Sequence, residues 1–474
     1  MNSKPITILL IICLLTFMMG QSNAQTNNSI AINSYSFDLY RETKVEKENL
    51  FLSPLSTYYA LFAAYKGSKN KTKQEFEKVL YLKSSGSLKN DYLYNLARET
   101  DGNSGFKISN AIWVDKNLKI EEEYKRSVSD KYFSDFKQTE FSNVESAVSD
   151  INSWVSEKTN RRINEIVNAA NINSDTKLMI SNAVYFKGEW LNKFEEQKTT
   201  SAPFFTSDED QYKVDFMNMT ESLQYFENDQ YQFIAKPYKD SNLSFCIILP
   251  KKLFGIEEIE KEMNNDFFRT ILDSTYSTKT SLTIPKLKLE SSYLLNSALI
   301  NSGLKSAFTN EADFSGITKE EPLGLGQVLH KTWMELDEEK TEAAAATTTM
   351  MITGLPSYKI FKADHPFVFF IVDNSSRTIV FMGRYVKPTL GEAVEKDSLK
   401  NNLKKRENEK FEIGSGKGKD ILIVLDNKII SQDEMKALNV NDIKSFHVYK
   451  DKEEVAKYSS KSYDGVVVIT LKKK

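Results

Sequence analysis

At 474 residues, with 40% hydrophobic and 12% aromatic residues, the chain has material for a large core and for more than one domain. Its 63 lysines and arginines nearly balance 65 aspartates and glutamates, so no global field points to nucleic acid. Two cysteines, Cys13 and Cys246, and three histidines, His330, His365 and His447, exclude a disulfide framework and a four-ligand Cys/His zinc site; no metal or cofactor is expected.

Residues 1–24 read as a secretory signal. Lys4 supplies the positive start, Ile6 to Met19 is apolar apart from Thr7 and Thr16, and Ser22-Asn23-Ala24 is a small-x-small cleavage site. The run is short of the ~20 apolar residues a membrane span needs. Ile12 before Cys13 argues against lipoprotein cleavage. The mature chain is therefore expected to be secreted or periplasmic. Its one thiol, Cys246, lies in the apolar run Leu243 to Leu249 and reads as a buried, inert strand thiol.

The pattern next predicts a helix over 30–41 and a second starting at Pro54, where a missing N–H is harmless, and running through Tyr58 to Tyr65. The lysines between 66 and 89, interspersed with Glu75 and Glu77, read as a solvated face. Phe106 to Val114 alternates as a strand. A helix is expected over 145–168, with Val148, Ile151, Trp154, Val155 and Ile163 as its apolar stripe. Lys177 to Phe186 is an apolar strand. Between 203 and 290 the expected strands are Tyr212 to Met217, Tyr231 to Pro237, Leu243 to Leu249 and Thr280 to Leu289, with a helix near 256–273. Ser291 to Ser302 reads as helix and Gln327 to Leu336 as strand. Phe361 to Val372 and Thr378 to Val386 read as buried strands around the turn Asp373 to Arg377.

The stretch after Leu336 is unusual. Glu338-Glu339-Lys340-Thr341-Glu342-Ala343-Ala344-Ala345-Ala346-Thr347-Thr348-Thr349 holds four helix-favouring alanines, then three strand-favouring threonines. Taken alone it is most simply a short Ala helix running into a loop. With period two, however, Thr341, Ala343, Ala345, Thr347, Thr349 and Met351 make one uncharged face, which suits a strand exposed in one state and buried in another.

Composition shifts at Pro388. Twelve of the 21 residues from Glu392 to Glu412 are charged, so 390–412 reads as a solvated linker or exposed helix. A small α+β unit is expected over 413–474. Its elements are a strand Ile421 to Leu425, a helix from Ser431 through Leu438, a strand Phe446 to Tyr449, a helix Glu453 to Tyr458 and a strand Val466 to Thr470. About 60 residues is near the lower limit for independent folding.

Catalytic motifs are lacking: there is no G-x-S-x-G, H-E-x-x-H or P-loop. Gly414-Ser415-Gly416-Lys417-Gly418-Lys419-Asp420 has the wrong glycine offset and no Ser/Thr after its lysine for a phosphate loop, and precedes a strand. Three scattered histidines and no thiol in a polar setting leave no nucleophile–base pair, so the chain does not read as an enzyme.

Six motifs then occur in a family's order. They are Asn49-Leu50-Phe51-Leu52-Ser53-Pro54-Leu55-Ser56; Ser181-Asn182-Ala183-Val184-Tyr185-Phe186-Lys187-Gly188-Glu189-Trp190; Ile284-Pro285-Lys286; Ala312-Asp313-Phe314-Ser315-Gly316-Ile317; Asp364-His365-Pro366-Phe367-Val368-Phe369-Phe370-Ile371; and Phe381-Met382-Gly383-Arg384. Over residues 27–389 the chain resembles the serpin family. The resemblance implies an α+β serpin fold, with helices around a large sheet, further sheets and an exposed reactive loop. It implies a monomeric inhibitor of serine proteases, in which a cleaved loop inserts into the main sheet and carries the protease with it. Glu338, Glu339, Lys340, Thr341, Glu342, Ala343, Ala344, Ala345, Ala346 and Thr347 then become the loop's hinge. The family usually has glycine where this chain has Lys340, and the expected consequence is slower inhibition or partial diversion to simple cleavage.

Counting by the family's loop length places the scissile bond at Gly354–Leu355; counting back from Pro366 places it at Leu355–Pro356, and chemistry also allows Met351–Ile352 or Thr353–Gly354. No lysine or arginine lies between Thr341 and Pro356, so elastase-like, subtilisin-like or papain-like proteases are expected as targets and trypsin-like ones are not. By the same resemblance Ser53, Ser56, Asn182 and His330 form a polar cluster beneath the opening of the main sheet, and Trp190, Lys286 and Glu338 lie where the loop first enters. The competing readings are a non-inhibitory serpin-fold binding protein and an envelope scaffold acting through its C-terminal module.

The C-terminal unit resembles the small plug-like module of TonB-dependent receptors, through Ile423-Val424-Leu425-Asp426-Asn427, Asn441 to Asp451, Tyr458 and Asp464-Gly465-Val466-Val467-Val468-Ile469-Thr470. The resemblance implies an envelope setting and a protein partner for this module.

Overall fold

The computed structural model describes residues 28–82, 106–131, 134–169, 172–173, 175–206, 210–239, 241–338 and 358–389, together with 395–398, 421–426, 428–431, 434–435, 443–449 and 465–471. The chain divides into two compact units, 1–397 and 398–474.

The first unit opens with α1 (28–43). Then follow β1 (Leu50–Leu52), α2 (Pro54–Gly67), α3 (Asn70–Val79), β2 (Phe106–Asp115), α4 (Glu122–Lys131), β3 (Ser134–Thr139), α5 (Val144–Lys158) and β4 (Leu178–Phe186). Next come β5 (Thr200–Phe205), β6 (Asp210–Glu227), β7 (Tyr231–Pro237), β8 (Leu243–Pro250), α6 (Ile256–Glu262), α7 (Asn265–Ser274), β9 (Tyr276–Pro285) and β10 (Leu287–Leu294). The unit closes with α8 (Asn296–Ser302), β11 (Gln327–Leu336), β12 (Lys359–Lys362), β13 (Phe367–Asp373) and β14 (Thr378–Tyr385), and β15 (Glu395–Ser398) ends one residue past its boundary.

Two sheets organise it. A ten-stranded sheet runs β1-β14-β13-β8-β7-β6-β9-β12, with β5 and β15 also paired to β6, and a five-stranded sheet runs β10-β11-β4-β2-β3. The main core lies between them. β13 and β14 are buried along their whole length, as central strands with two covered faces must be. Gly383 is required there, because a Cβ would fall 2.3 Å from the Leu50 carbonyl of the neighbouring β1. In α2 every residue except Lys66 is buried, so it is an interior helix rather than an amphipathic one. It fixes the start of the site described below. A second core cluster fills the space between α5 and the opposite face of the five-stranded sheet, through Ile151, Trp154 and Val155 against Met179, Leu329 and Trp333.

Several expected elements end elsewhere, each for a local reason. The helix expected over 145–168 stops at Lys158. Asn160 and Arg161 take left-handed φ of 51° and 61°, and the Thr159 hydroxyl accepts from the Ile163 amide. Ile163 keeps its apolar contacts without being helical. The helix expected near 256–273 is two helices, because the Asn264 side chain caps a new start by accepting from the Phe267 amide at 2.9 Å. Thr280 to Leu289 is not one strand: it breaks at Lys286, and β9 and β10 belong to different sheets. Ser291 to Ser302 is helical only from Asn296, since Ser291 to Leu294 continue the ladder with β11. Phe361 to Val372 divides into β12 and β13 across Pro366. The basic stretch after Lys66 contains a helix, α3, that buries Thr72, Phe76 and Val79 and turns Lys71 and Lys78 to solvent.

The second unit has a four-stranded sheet of β16 (Ile421–Leu425), β17 (Lys428–Ile430), β18 (Ile443–Tyr449) and β19 (Gly465–Leu471), in the order β17-β16-β19-β18. β16 and β19 are parallel, and the other two pairs are antiparallel. Leu425 pairs with Lys428 across a two-residue turn, and Asp426 takes the left-handed φ of 44° that such hairpins need. Ser431 and Glu434 form a reciprocal capping box, with the Glu434 amide on Ser431 Oγ at 3.2 Å and the Ser431 amide on Glu434 Oε2 at 2.7 Å. The helix expected over Glu453 to Tyr458 lies outside the described residues.

Candidate functional site

In the five-stranded sheet β11 lies beside β4 and parallel to it, in register from Gln327↔Met179 to Met334↔Phe186. Their outer neighbours, β10 and β2, are both antiparallel to them. The chain leaves this seam at the C-terminal end of β11. A segment folding back along β11 would run antiparallel to it, and therefore antiparallel to β4 as well. One returning strand could thus make a regular antiparallel ladder with both edges of an opened seam.

A buried polar row crosses the sheet at this seam. Register places Asn110 beside Asn182, Asn182 beside His330 and His330 beside Tyr293, on β2, β4, β11 and β10 in turn. The start of α2 closes the row from below. The Ser53 amide donates to His330 Nε2 at 3.0 Å, so the ring's proton sits on Nδ1, facing Asn182 Oδ1. The Asn182 amide nitrogen in turn donates to Ser56 Oγ and to Asn110 Oδ1. Ser53 caps α2 by accepting from the Ser56 amide, and its hydroxyl donates to the Val380 carbonyl at 3.0 Å. Ser53, Ser56, Asn182 and His330 are all fully buried. Burial pushes His330 down to about 3, so the ring is neutral at physiological pH.

A second cluster stands where the chain leaves β11. Trp190, 1% exposed, stacks on Tyr238 at 4.6 Å and donates its indole N–H to the Asp337 carbonyl at 2.9 Å. Glu338, 3% exposed, is held by Lys286 Nζ at 2.7 Å and by the Thr199 hydroxyl. Burial would raise its pKa, but the hydrogen bonds from Lys286 and Thr199 outweigh it and keep the carboxyl below its ordinary value. Lys187, at the end of β4, bridges to Glu335 at 2.8 Å and Asp337 at 3.0 Å.

The structure therefore brings Ser53, Ser56, Asn182 and His330 together at the seam, and Trp190, Lys286 and Glu338 at its end. Glu339, Lys340, Thr341, Glu342, Ala343, Ala344, Ala345, Ala346 and Thr347, and the scissile-bond candidates Met351, Ile352, Thr353, Gly354 and Leu355, lie outside the described residues. Asn110, Tyr293, Thr199 and Lys187 join the two clusters without having been assigned to them from the sequence. Strand register is what recruits them. Among the described residues no cluster of His, Cys, Asp and Glu could hold a metal ion.

A family model described as Serpin (serine protease inhibitor) matches residues 30–388. The chain belongs to the serpin family. This serpin is 38% identical over 381 residues to an uncharacterized serpin-like protein of Thermococcus kodakarensis, covering 78% of this chain and 88% of that protein. It is 32% identical to the leukocyte elastase inhibitor of Xenopus tropicalis, over 76% of this chain and all of that protein. Among solved structures it resembles the thermophilic serpin tengpin in its native state. The TM-score is 0.68 and the identity 31%, over 76% of this chain and 93% of that one. The fold expected from the sequence motifs is the fold observed.

Proposed function

We propose that this serpin is a secreted or periplasmic suicide-substrate inhibitor of serine proteases, acting by strand insertion between β4 and β11. The single observation that carries the reading is the parallel β4–β11 seam, with 19 residues (339–357) leaving the end of β11 before the chain is described again at Tyr358.

The protease's serine attacks the carbonyl of the scissile bond. The C–N bond breaks, and the new amine takes a proton from the protease's catalytic acid; it stays on the downstream chain, which β12, β13 and β14 hold in the ten-stranded sheet. The upstream segment stays joined to β11 and bears the protease as an ester. Folding back into the seam, it gains a ladder on each side and drags the ester with it. The uncharged row Thr341, Ala343, Ala345, Thr347, Thr349 and Met351 supports this, because a charge buried there without a partner would cost several kcal/mol, roughly. The native state is then a kinetically trapped one.

The absence of lysine and arginine from Thr341 to Pro356, and a relative named leukocyte elastase inhibitor, support elastase-like or subtilisin-like targets; papain-like proteases fit the same residues. We also propose a protein partner in the cell envelope for the plug-like C-terminal unit. Incubation with pancreatic elastase or subtilisin, followed by denaturing gels and mass spectrometry of the released fragment, tests the inhibitory reading. A covalent complex and a fragment starting near Leu355 are expected. Clean cleavage without a complex would make the chain a serpin-fold substrate, the outcome that Lys340 favours.

A further inference from the structure

The seam carries a second device on the face away from α2. Trp333 of β11 and Tyr185 of β4 are register partners, and their rings stack at 5.0 Å between centroids and 23° between planes. Arg162, on the connection that follows α5, sets its guanidinium 5.8 Å from the Tyr185 ring and 5.4 Å from the Trp333 ring. Lys288 sets its ammonium 5.7 Å from the centre of the Trp333 ring. The connection bearing Arg162 is itself pinned. Asn152 accepts from the Ile166 and Val167 amides, and Lys331 of β11 donates to the Glu165 carbonyl at 2.8 Å. The left-handed turn at Asn160 and Arg161 delivers Arg162 to this place.

We infer that Tyr185, Trp333 and Arg162 form a latch across the β4–β11 seam, which sets how fast a returning strand enters and so how many cleaved molecules trap a protease rather than release it. This rests on the inhibitory reading. Neighbouring strands lie about 4.8 Å apart, and a strand placed between them moves β4 and β11 to about 9.6 Å. A stack at 5.0 Å does not survive that separation. Trp333 stands five positions before Glu338, at the end of the seam nearest the loop, so its rung is among the first to open. The three residues are positioning residues: none of them meets the protease.

The test uses the full chain and a synthetic peptide with the sequence of residues 341–352. Its uptake into uncleaved protein is followed by the rise in melting temperature, and the stoichiometry of inhibition is read with elastase. Arg162→Ala and Trp333→Leu should take up the peptide roughly three- to ten-fold faster than wild type, the rate gain that losing an aromatic or cation–π contact supports. They should also waste fewer molecules per protease trapped. Trp333→Phe, which keeps a stacked ring, should stay near the wild-type rate. Arg162 is exposed, so its variant folds whatever happens at Trp333. Rates for Arg162→Ala and Trp333→Leu within about two-fold of wild type, or slower, would overturn the latch alone. Wild type that takes up no peptide, and does not gain stability after loop cleavage, would overturn the inhibitory reading and the latch with it.

Discussion

Lowering the pH from about 7.5 to about 5 should weaken the native fold through one ring. His330 is fully buried, accepts the Ser53 amide at Nε2 and faces Asn182 at Nδ1, so a second proton has no acceptor to meet. Burial holds its pKa at about 3, against about 6.5 in the unfolded chain. Below pH ~6.5 the unfolded state binds a proton that the native state refuses. Stability is therefore fully present above that value and is lost as the pH falls towards the folded pKa. At pH ~5 the loss is roughly 2 kcal/mol, and at pH ~3 roughly 4 kcal/mol. Urea unfolding at several pH values, compared between wild type and His330→Gln, isolates this ring from other titrating groups. Wild type should lose about 2 kcal/mol more than the variant between pH ~7.5 and ~5. With only three histidines in the chain, the His330 proton resonance can also be followed directly. Equal losses in both proteins, or a His330 resonance titrating above pH ~5, would show that the buried ring is not the group that destabilises the fold in acid.

Lys286→Met strips the buried Glu338 carboxylate of its cation and leaves it the Thr199 hydroxyl. Because Lys286 is 38% exposed the loss is discounted to about 1–2 kcal/mol, read as a lower urea midpoint and a shorter native half-life on heating; an unchanged midpoint would count against the clamp. Thr341→Arg puts a charge on the inserting face and should turn an inhibitor into a substrate, with loop cleavage persisting and the covalent band gone. Persistence of that band would defeat the insertion reading. Removing residues 398–474 should leave inhibition and the first unit's melting unchanged. Loss of either would show that the two units depend on each other.

The family was legible because its motifs are local runs, such as Asn49 to Ser56 and Phe381 to Arg384, that need no register to be recognised. Ser53 and Asn182 came with those motifs, and His330 with the family resemblance they establish. Asn110 and Tyr293 did not, since only strand pairing brings Asn110, Asn182, His330 and Tyr293, which lie 54 to 277 positions from Ser56 and Ser53 in sequence, into one row, and pairing is not a local property: Asn110 lies 54 positions from Ser56, and Tyr293 meets the row through its rung with His330. Element ends failed for a related reason. Lys158 is followed by Thr159-Asn160-Arg161, with no glycine or proline to announce the stop, and the helix yields there to side-chain hydrogen bonds from Thr159. Asn264, by contrast, was a readable cap inside the run expected as one helix near 256–273. The ring of contacts at Trp333 had no signature at all, because Arg162, Tyr185 and Trp333 meet only once the seam is closed.

Backbone and side chains play opposite parts at that seam. A ladder of backbone hydrogen bonds is equally good whichever strand supplies the partners, so opening β4 from β11 and filling the gap adds a ladder and loses none. The side chains are not interchangeable in this way. The Asn182–His330 contact and the Tyr185–Trp333 stack each span the seam on a rung of their own, one on each side of the sheet, and both require the two strands to be neighbours. On the proposed inhibitory mechanism, the driving force for insertion would reside in the chain after Glu338, and the resistance in side chains of β4, β11 and the connection after α5. Under that mechanism, substitutions at the seam are expected to change the speed of trapping without touching the residues a protease would read, and substitutions near the proposed scissile bond at Leu355 to change the target without changing the speed.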